Sequence, residues 1–255
     1  MAPANNTTED FIRIALASTT STMDDARRQA AIHPCGAVRA DYQSAGRGRL
    51  AGRSWSSETG QGLSCTVWMS RDRFGSSAGQ GGAPPPLAAG LALRRALLRW
   101  AAGEGRHFPS GLSIKWPNDL LCGDRKLAGI LCEGAGQALL LGFGVNLAQR
   151  SFGGGYASAP CSVLLECGAA PDSGELLELL LAELARPRAE SPSWLDEING
   201  ALAWKGRDVR FCPGLGAGPS VQGILNGIDA SGAIVILVDG AELAYVSGEL
   251  RLGSY

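Results

Sequence analysis

Three arginines and three glycines share the ten residues from Gly46 to Trp55, in the order Gly-Arg-Gly-Arg-Leu-Ala-Gly-Arg-Ser-Trp. Glycine frees backbone N–H groups to converge on one point, and guanidinium forks donate in fixed pairs, so the segment suits a phosphate or carboxylate better than a core. Taken alone it is either a lid over an anion or a solvated basic hairpin tip. A second group lies in residues 113–133, where Lys115-Trp-Pro-Asn-Asp119 and Arg125-Lys-Leu-Ala-Gly129 place two lysines beside turns. The chain has 23 basic residues and only three lysines, which leaves twenty arginines and suggests lysine where a compact ammonium is needed. Ser21 and Thr22 form a third group, just ahead of Asp24 and Asp25 at a helix start. Their hydroxyls serve either as caps or as contacts to a polar ligand head.

These groups need elements to hold them. Residues 37–42 read as a strand, and Leu63, Cys65, Val67 and Met69 alternate with Ser64, Thr66, Trp68 and Ser70, the period of a strand buried on one face. The Gly-Arg loop is therefore carried between two strands. A first strand is expected at 11–16, a mobile Gly/Ser/Pro connection at 71–86 and a helix at 87–102. Pro117, the Asn118-Asp119 turn and Gly123-Asp124 predict strand, turn, strand, tight hairpin, strand. Lys126 opens the last of these, and Gly129 would let a ligand or backbone approach closely; Lys126 read alone is equally an exposed surface lysine. Residues 139–146 form the next strand, ending at Asn146. Residues 150–172 read as irregular, Asp172-Ser-Gly-Glu175 as a capping box before a helix at 176–184, and Ser191-Pro192 as the start of a helix to about Leu202. Short β runs at 209–211, 220–228, 233–238 and 242–246 suit a small barrel. The predicted division is 1–203 and 204–255.

Composition narrows the function. A formal charge of −1 over 255 residues gives no broad nucleic-acid or membrane footprint, and no apolar stretch approaches a membrane span. The first residues lack a basic-then-apolar leader, so a cytoplasmic protein is expected. Seven cysteines with no Cys-x-x-Cys unit read as mostly buried thiols in a reducing compartment.

The Gln43-Ser-Ala-Gly-Arg-Gly-Arg49 loop, Lys115-Trp-Pro-Asn-Asp119, Arg125-Lys-Leu-Ala-Gly-Ile-Leu131 and Gly142-Phe-Gly-Val-Asn146, in this order, resemble the bacterial biotin–protein ligases. The resemblance implies an α+β fold of the biotin/lipoate ligase type, like class II aminoacyl-tRNA synthetases, with a mixed, mostly antiparallel sheet and a C-terminal SH3-like barrel. It implies ATP and biotin as substrates, Mg²⁺, a biotinyl-5′-adenylate intermediate and acylation of a lysine on a biotin carboxyl carrier domain. By the same resemblance Ser21, Thr22, Gln43, Gly46, Arg47, Gly48, Arg49, Lys126 and Gly129 hold biotin. Arg49, Trp55, Lys115, Asn118, Asp119 and Asn146 line the ATP side, and Lys126, Arg47 and Arg49 are the catalytic group; the metal ligands stay unassigned. A homodimer is an assembly the resemblance allows.

Two departures from the family pattern stand out. Met23 occupies a position where many relatives carry Asn, and the loop holds one residue more near Leu50-Ala51, which puts the roles of Arg53 and Trp55 in question. Only about 20 residues precede Ser21, so the expectation is a monofunctional enzyme without a helix-turn-helix domain. A lipoate–protein ligase or octanoyl transferase of the same fold, and a noncatalytic biotin-binding or repressor protein, are the alternatives.

Overall fold

The computed structural model describes residues 8–49, 52–55, 58–71, 82–156, 158–186, 193–214 and 219–253. Most of the 71–86 connection, the Leu50-Ala51 insertion and the Ser191-Pro192 helix start lie outside the described residues.

The first sheet has seven strands: β1 (Ile12–Thr19), β2 (Gly36–Gln43), β5 (Gly62–Ser70), β6 (Leu112–Lys115), β7 (Asp119–Cys122), β8 (Arg125–Ala135) and β9 (Ala138–Asn146), ordered β1-β2-β5-β9-β8-β7-β6. Between β2 and β5 the loop folds as a small hairpin of β3 (Gly46–Arg47) and β4 (Ser54–Trp55). Only β1 and β2 run parallel, because α1 (Thr22–Ala30) forms the crossover between them; every other ladder is antiparallel. A two-residue turn at Gly123-Asp124 joins β7 to β8, with Gly123 at φ +57, where a side chain would be strained.

Helix α1 packs on one face of this sheet, and α2 (Pro85–Gly103) with α4 (Ser173–Ala185) on the other. The alternation of β5 was expected to bury one face. The structure corrects this: Val67 and Met69 enter the main core while Trp68 packs under α1 with Met23, Val38 and Leu140, and Ser64 and Thr66 are buried too. A central strand covered on both sides has no solvent face, and its polar row faces an internal site instead.

Other elements sit close to their predicted places. Helix α2 begins two residues early, with prolines in its first turn. Asp172 caps α4 through its Oδ1, 2.7 Å from the Gly174 nitrogen. The supposedly irregular stretch contains a one-turn helix, α3 (Val163–Cys167), capped by Ser162. The helix expected to run to Leu202 is α5 (Trp194–Ala201).

The C-terminal sheet is β10 (Asp208–Pro213), β11 (Val221–Ile228), β12 (Ile234–Val238), β13 (Ala241–Tyr245) and β14 (Gly248–Leu252), ordered β13-β12-β11-β10-β14 and antiparallel throughout. No ladder closes β13 onto β14 among the described residues. Even so, the Phe211 and Tyr245 rings approach to 4.7 Å between centroids, so the sheet curls around a shared apolar centre. Its core is continuous with that of the first sheet. Trp116, in the turn after β6, contacts Phe211 at 5.9 Å and donates from Nε1 to the Gly232 carbonyl at 3.1 Å.

Candidate active site

The site lies on the α1 face of the seven-stranded sheet, beyond the edge of α1. Register aligns Thr66 with Gly142 and Gly144 with Gly129, so three glycines on neighbouring strands strip side chains from that face. A cavity of about 550 Å³ opens above this floor.

One end of the cavity is polar and neutral. Ser21 is 2% exposed and its Oγ has no partner, although it occupies the N-cap of α1; only its backbone carbonyl accepts, from Asp24 and Asp25. The capping reading of its side chain therefore fails, which leaves the ligand reading. Thr22 donates to Gln43 Oε1 from both backbone nitrogen and Oγ1, at 2.8 and 3.0 Å, and its Oγ1 is 2.9 Å from that of Thr66. Because Oε1 faces Thr22, the Gln43 amide nitrogen turns toward Gly46. Met23 is buried, and its Sδ lies 3.0 Å from where a Cβ on Gly142 would be.

The loop forms the roof. Trp55 lays its indole on Gly144, at 3.5 Å from a Cβ built on Gly129, and its buried Nε1 has no partner. Gly46 is off the cavity wall: a side chain there would collide with the Trp55 carbonyl, so this glycine serves the hairpin. At Gly48, which does line the cavity, a Cβ would sit 2.8 Å from that of Arg53. Arg47 reaches Asp24 of α1 at 2.9 and 3.2 Å and Glu133 of β8 at 3.8 Å. Arg49 donates to the Gly248 carbonyl at 2.9 Å, and Arg53 lies 3.8 Å from Glu249, so β14 holds the loop from the other side.

The opposite end is cationic. Lys126 Nζ pairs with Asp119 Oδ1 at 2.8 Å and lies 3.2 Å from the Cβ position of Gly129. Lys115 is 8% exposed and sits over the Trp204 ring at 5.2 Å. Burial lowers its pKa, against the raising effect of Asp119, while nearby Lys126 lowers it further. Asn118 and Asn146 line this end, but their amide donors are committed to backbone: Asn118 to the Ile130 carbonyl at 2.9 Å, Asn146 to that of Cys161 at 2.9 Å. Among the described residues no cluster of three His, Cys, Asp or Glu could hold a metal. All seven cysteines are free, and burial pushes the Cys65 thiol beside the floor up to about 12, so it is no nucleophile.

The site thus gathers Ser21, Thr22, Gln43, Arg47, Gly48, Arg49, Trp55, Lys115, Asn118, Asp119, Lys126, Gly129 and Asn146 around one cavity and leaves out Gly46. Thr66, Gln149 and Glu249 also line it and were not anticipated. Thr66 was hidden in a row read as solvent-facing. The β14 signal was present as Leu250 and Leu252 alternating with Glu249 and Arg251.

Gly142 and Asn146 are four residues apart on β9, so the two ends are separated by about 13 Å at the usual strand rise. Such a site fits an elongated ligand with a neutral polar head and an anionic far end. A profile of the biotin/lipoate A/B protein ligase family matches residues 13–148. The chain is 38% identical over 213 residues to the biotin–[acetyl-CoA-carboxylase] ligase of Paracoccus denitrificans, covering 78% of this chain and 82% of that protein. It is 30% identical over 225 residues to the bifunctional ligase/repressor BirA of Escherichia coli, covering 84% of this chain but 65% of BirA's length. A biotin protein ligase from Aquifex aeolicus, solved in complex with biotin and ATP, superposes with a TM-score of 0.78 at 26% identity over 95% of this chain and 99% of that one. On these matches, and with the fold and cavity they share, the chain belongs to the biotin/lipoate A/B protein ligase family.

Proposed function

We propose that this chain is an ATP-dependent biotin–protein ligase. A biotin carboxylate oxygen attacks the α-phosphorus of ATP, the α–β phosphoanhydride bond breaks and pyrophosphate leaves; a carrier lysine amine then attacks the acyl carbon of biotinyl-5′-adenylate and AMP leaves. Lys126, with Lys115, Arg47 and Arg49, offsets negative charge on the carboxylate and α-phosphate. Trp55 and the loop keep water from the anhydride. Mg²⁺ arrives with the ATP phosphates, since the described residues offer no cluster of their own. The acceptor is a biotin carboxyl carrier domain, the working compartment is the cytoplasm, and residues 204–255 act as a separate module against the catalytic part. No nucleic acid or membrane takes part.

The observation that supports this reading is the unpartnered Ser21 hydroxyl at the neutral end. A ureido head supplies a donor or acceptor there. The dithiolane of lipoate and the methyl end of octanoate supply neither and would leave the hydroxyl unsatisfied, which costs about 1 to 3 kcal/mol. The test is pyrophosphate exchange into ATP. Exchange that depends on biotin and not on lipoate or octanoate supports the proposal; exchange driven by either other acid, or by none, rejects it.

A further inference from the structure

Gln149, just beyond β9, is 7% exposed and lines the cavity at its cationic end. Its backbone carbonyl accepts from Ser162 Oγ at 2.7 Å, which fixes where its side chain starts. The amide orientations around it form a closed argument. Asn146 Nδ2 faces two carbonyls, of Cys161 at 2.9 Å and Lys126 at 3.5 Å, so Asn146 must present its Oδ1 on the other side. That oxygen needs a donor, and Gln149 Nε2 supplies it at 3.3 Å. Gln149 Oε1 is then turned away from Asn146, buried and without a partner. An acceptor in this state is unfavourable until a donor reaches it.

Resting on the proposed ATP-dependent reading, we infer that Gln149 is a specificity-determining residue whose Oε1 accepts a hydrogen bond from the nucleoside part of ATP. Phosphates and carboxylates carry no donor and cannot satisfy this oxygen; Lys126 and Lys115 face them instead. The donors that a nucleoside triphosphate offers are the exocyclic amine of adenine and the ribose hydroxyls. Inosine triphosphate replaces that amine with a carbonyl oxygen, which repels Oε1, and deoxy-ATP lacks the 2′-hydroxyl. Each analogue therefore removes one source of the bond.

The test compares kcat/KM for ATP, inosine triphosphate and deoxy-ATP in biotin-dependent pyrophosphate exchange, for wild type and Gln149→Met. Methionine keeps the length and volume without the polar atoms, and Gln149→Ala carries the same comparison if the first variant does not accumulate. Each ratio is taken within one sample, so the fraction of folded enzyme cancels. A discrimination of about tenfold in wild type should collapse toward one in the variants. Loss of the ATP-to-inosine ratio alone assigns the adenine amine, and loss of the ATP-to-deoxy-ATP ratio alone assigns the ribose. Ratios unchanged within twofold, beside normal wild-type exchange, overturn the inference and leave the ligase reading intact. A wild-type protein that neither exchanges nor binds ATP in calorimetry overturns both.

Discussion

The Lys126 ammonium lies 2.8 Å from the Asp119 carboxylate, joining the second residue of β8 to the first of β7 at the mouth of the cavity. The pair keeps the lysine charged and aimed across Gly129, and it is solvated enough to exchange partners when an anionic ligand enters. Lys126→Ala should leave the fold intact, because the side chain is 30% exposed and fills no core. It should slow adenylate formation by roughly ten- to a hundredfold or more, as expected for a charged hydrogen bond worth about 1.5 to 3 kcal/mol. Quenched-flow measurement of biotinyl-adenylate in a correctly folded variant checks this; a near-normal rate removes Lys126 from the chemistry.

Ser21 separates two duties that its position normally combines. Removing an N-cap hydroxyl costs about 1 kcal/mol when it bonds the helix, but here it makes no such bond. Ser21→Ala should therefore hold or slightly raise the unfolding midpoint of the ligand-free protein while weakening biotin binding by roughly tenfold. Calorimetric titration with biotin and a thermal melt on the same sample decide it. A lower midpoint with unchanged biotin affinity would return Ser21 to the role of cap.

Much of this arrangement was legible in the sequence because local rules agree with the fold there. Pro117, the Asn118-Asp119 turn and Gly123-Asp124 delimit β6, β7 and β8 almost to the residue, and they place Lys126 at a strand start. What was not legible depends on long-range packing. Ser64 and Thr66 alternate with apolar residues as a solvated face would, and only the covering by α1 and the neighbouring cavity turns them inward. The contact of Arg49 with Gly248 spans 199 positions, and no periodicity records such a pairing. Gln149 carried no motif, and its orphaned oxygen emerges only from the partners of Asn146.

Lys115 should report its burial through pH. Its folded pKa lies below the ordinary 10.5, so the unfolded chain binds more protons between those two values, and stability rises with pH across that window. The penalty is present in full below the lowered pKa and vanishes above 10.5. Lys115→Met should accordingly melt higher than wild type at neutral pH, with the difference shrinking as pH approaches 10.5. The same variant should bind ATP more weakly, because an anion near Nζ favours the charged lysine. Melting curves over that pH range test the first claim; a pH-independent difference would mean that the charged form is not penalised in the fold.

Arg49 ties the roof of the site to β14 through the Gly248 carbonyl, so its loss should loosen the loop more than it slows the first half-reaction. Arg49→Gly removes a charge-assisted contact and adds chain entropy to the closed state, together about 2 to 4 kcal/mol. At about 1.4 kcal/mol per tenfold, escape of the adenylate should rise by tens to several hundredfold. Lys126 and the metal carried by ATP still face the α-phosphate in this variant, so pyrophosphate exchange should persist. Released anhydride would then acylate exposed lysines of unrelated proteins. Incubating the variant with biotin, ATP and a lysine-rich bystander, and comparing labelling with wild type, reads this directly. If exchange proceeds while bystander labelling stays at the wild-type level, Arg49 does not retain the intermediate and the loop is a basic hairpin rather than a lid.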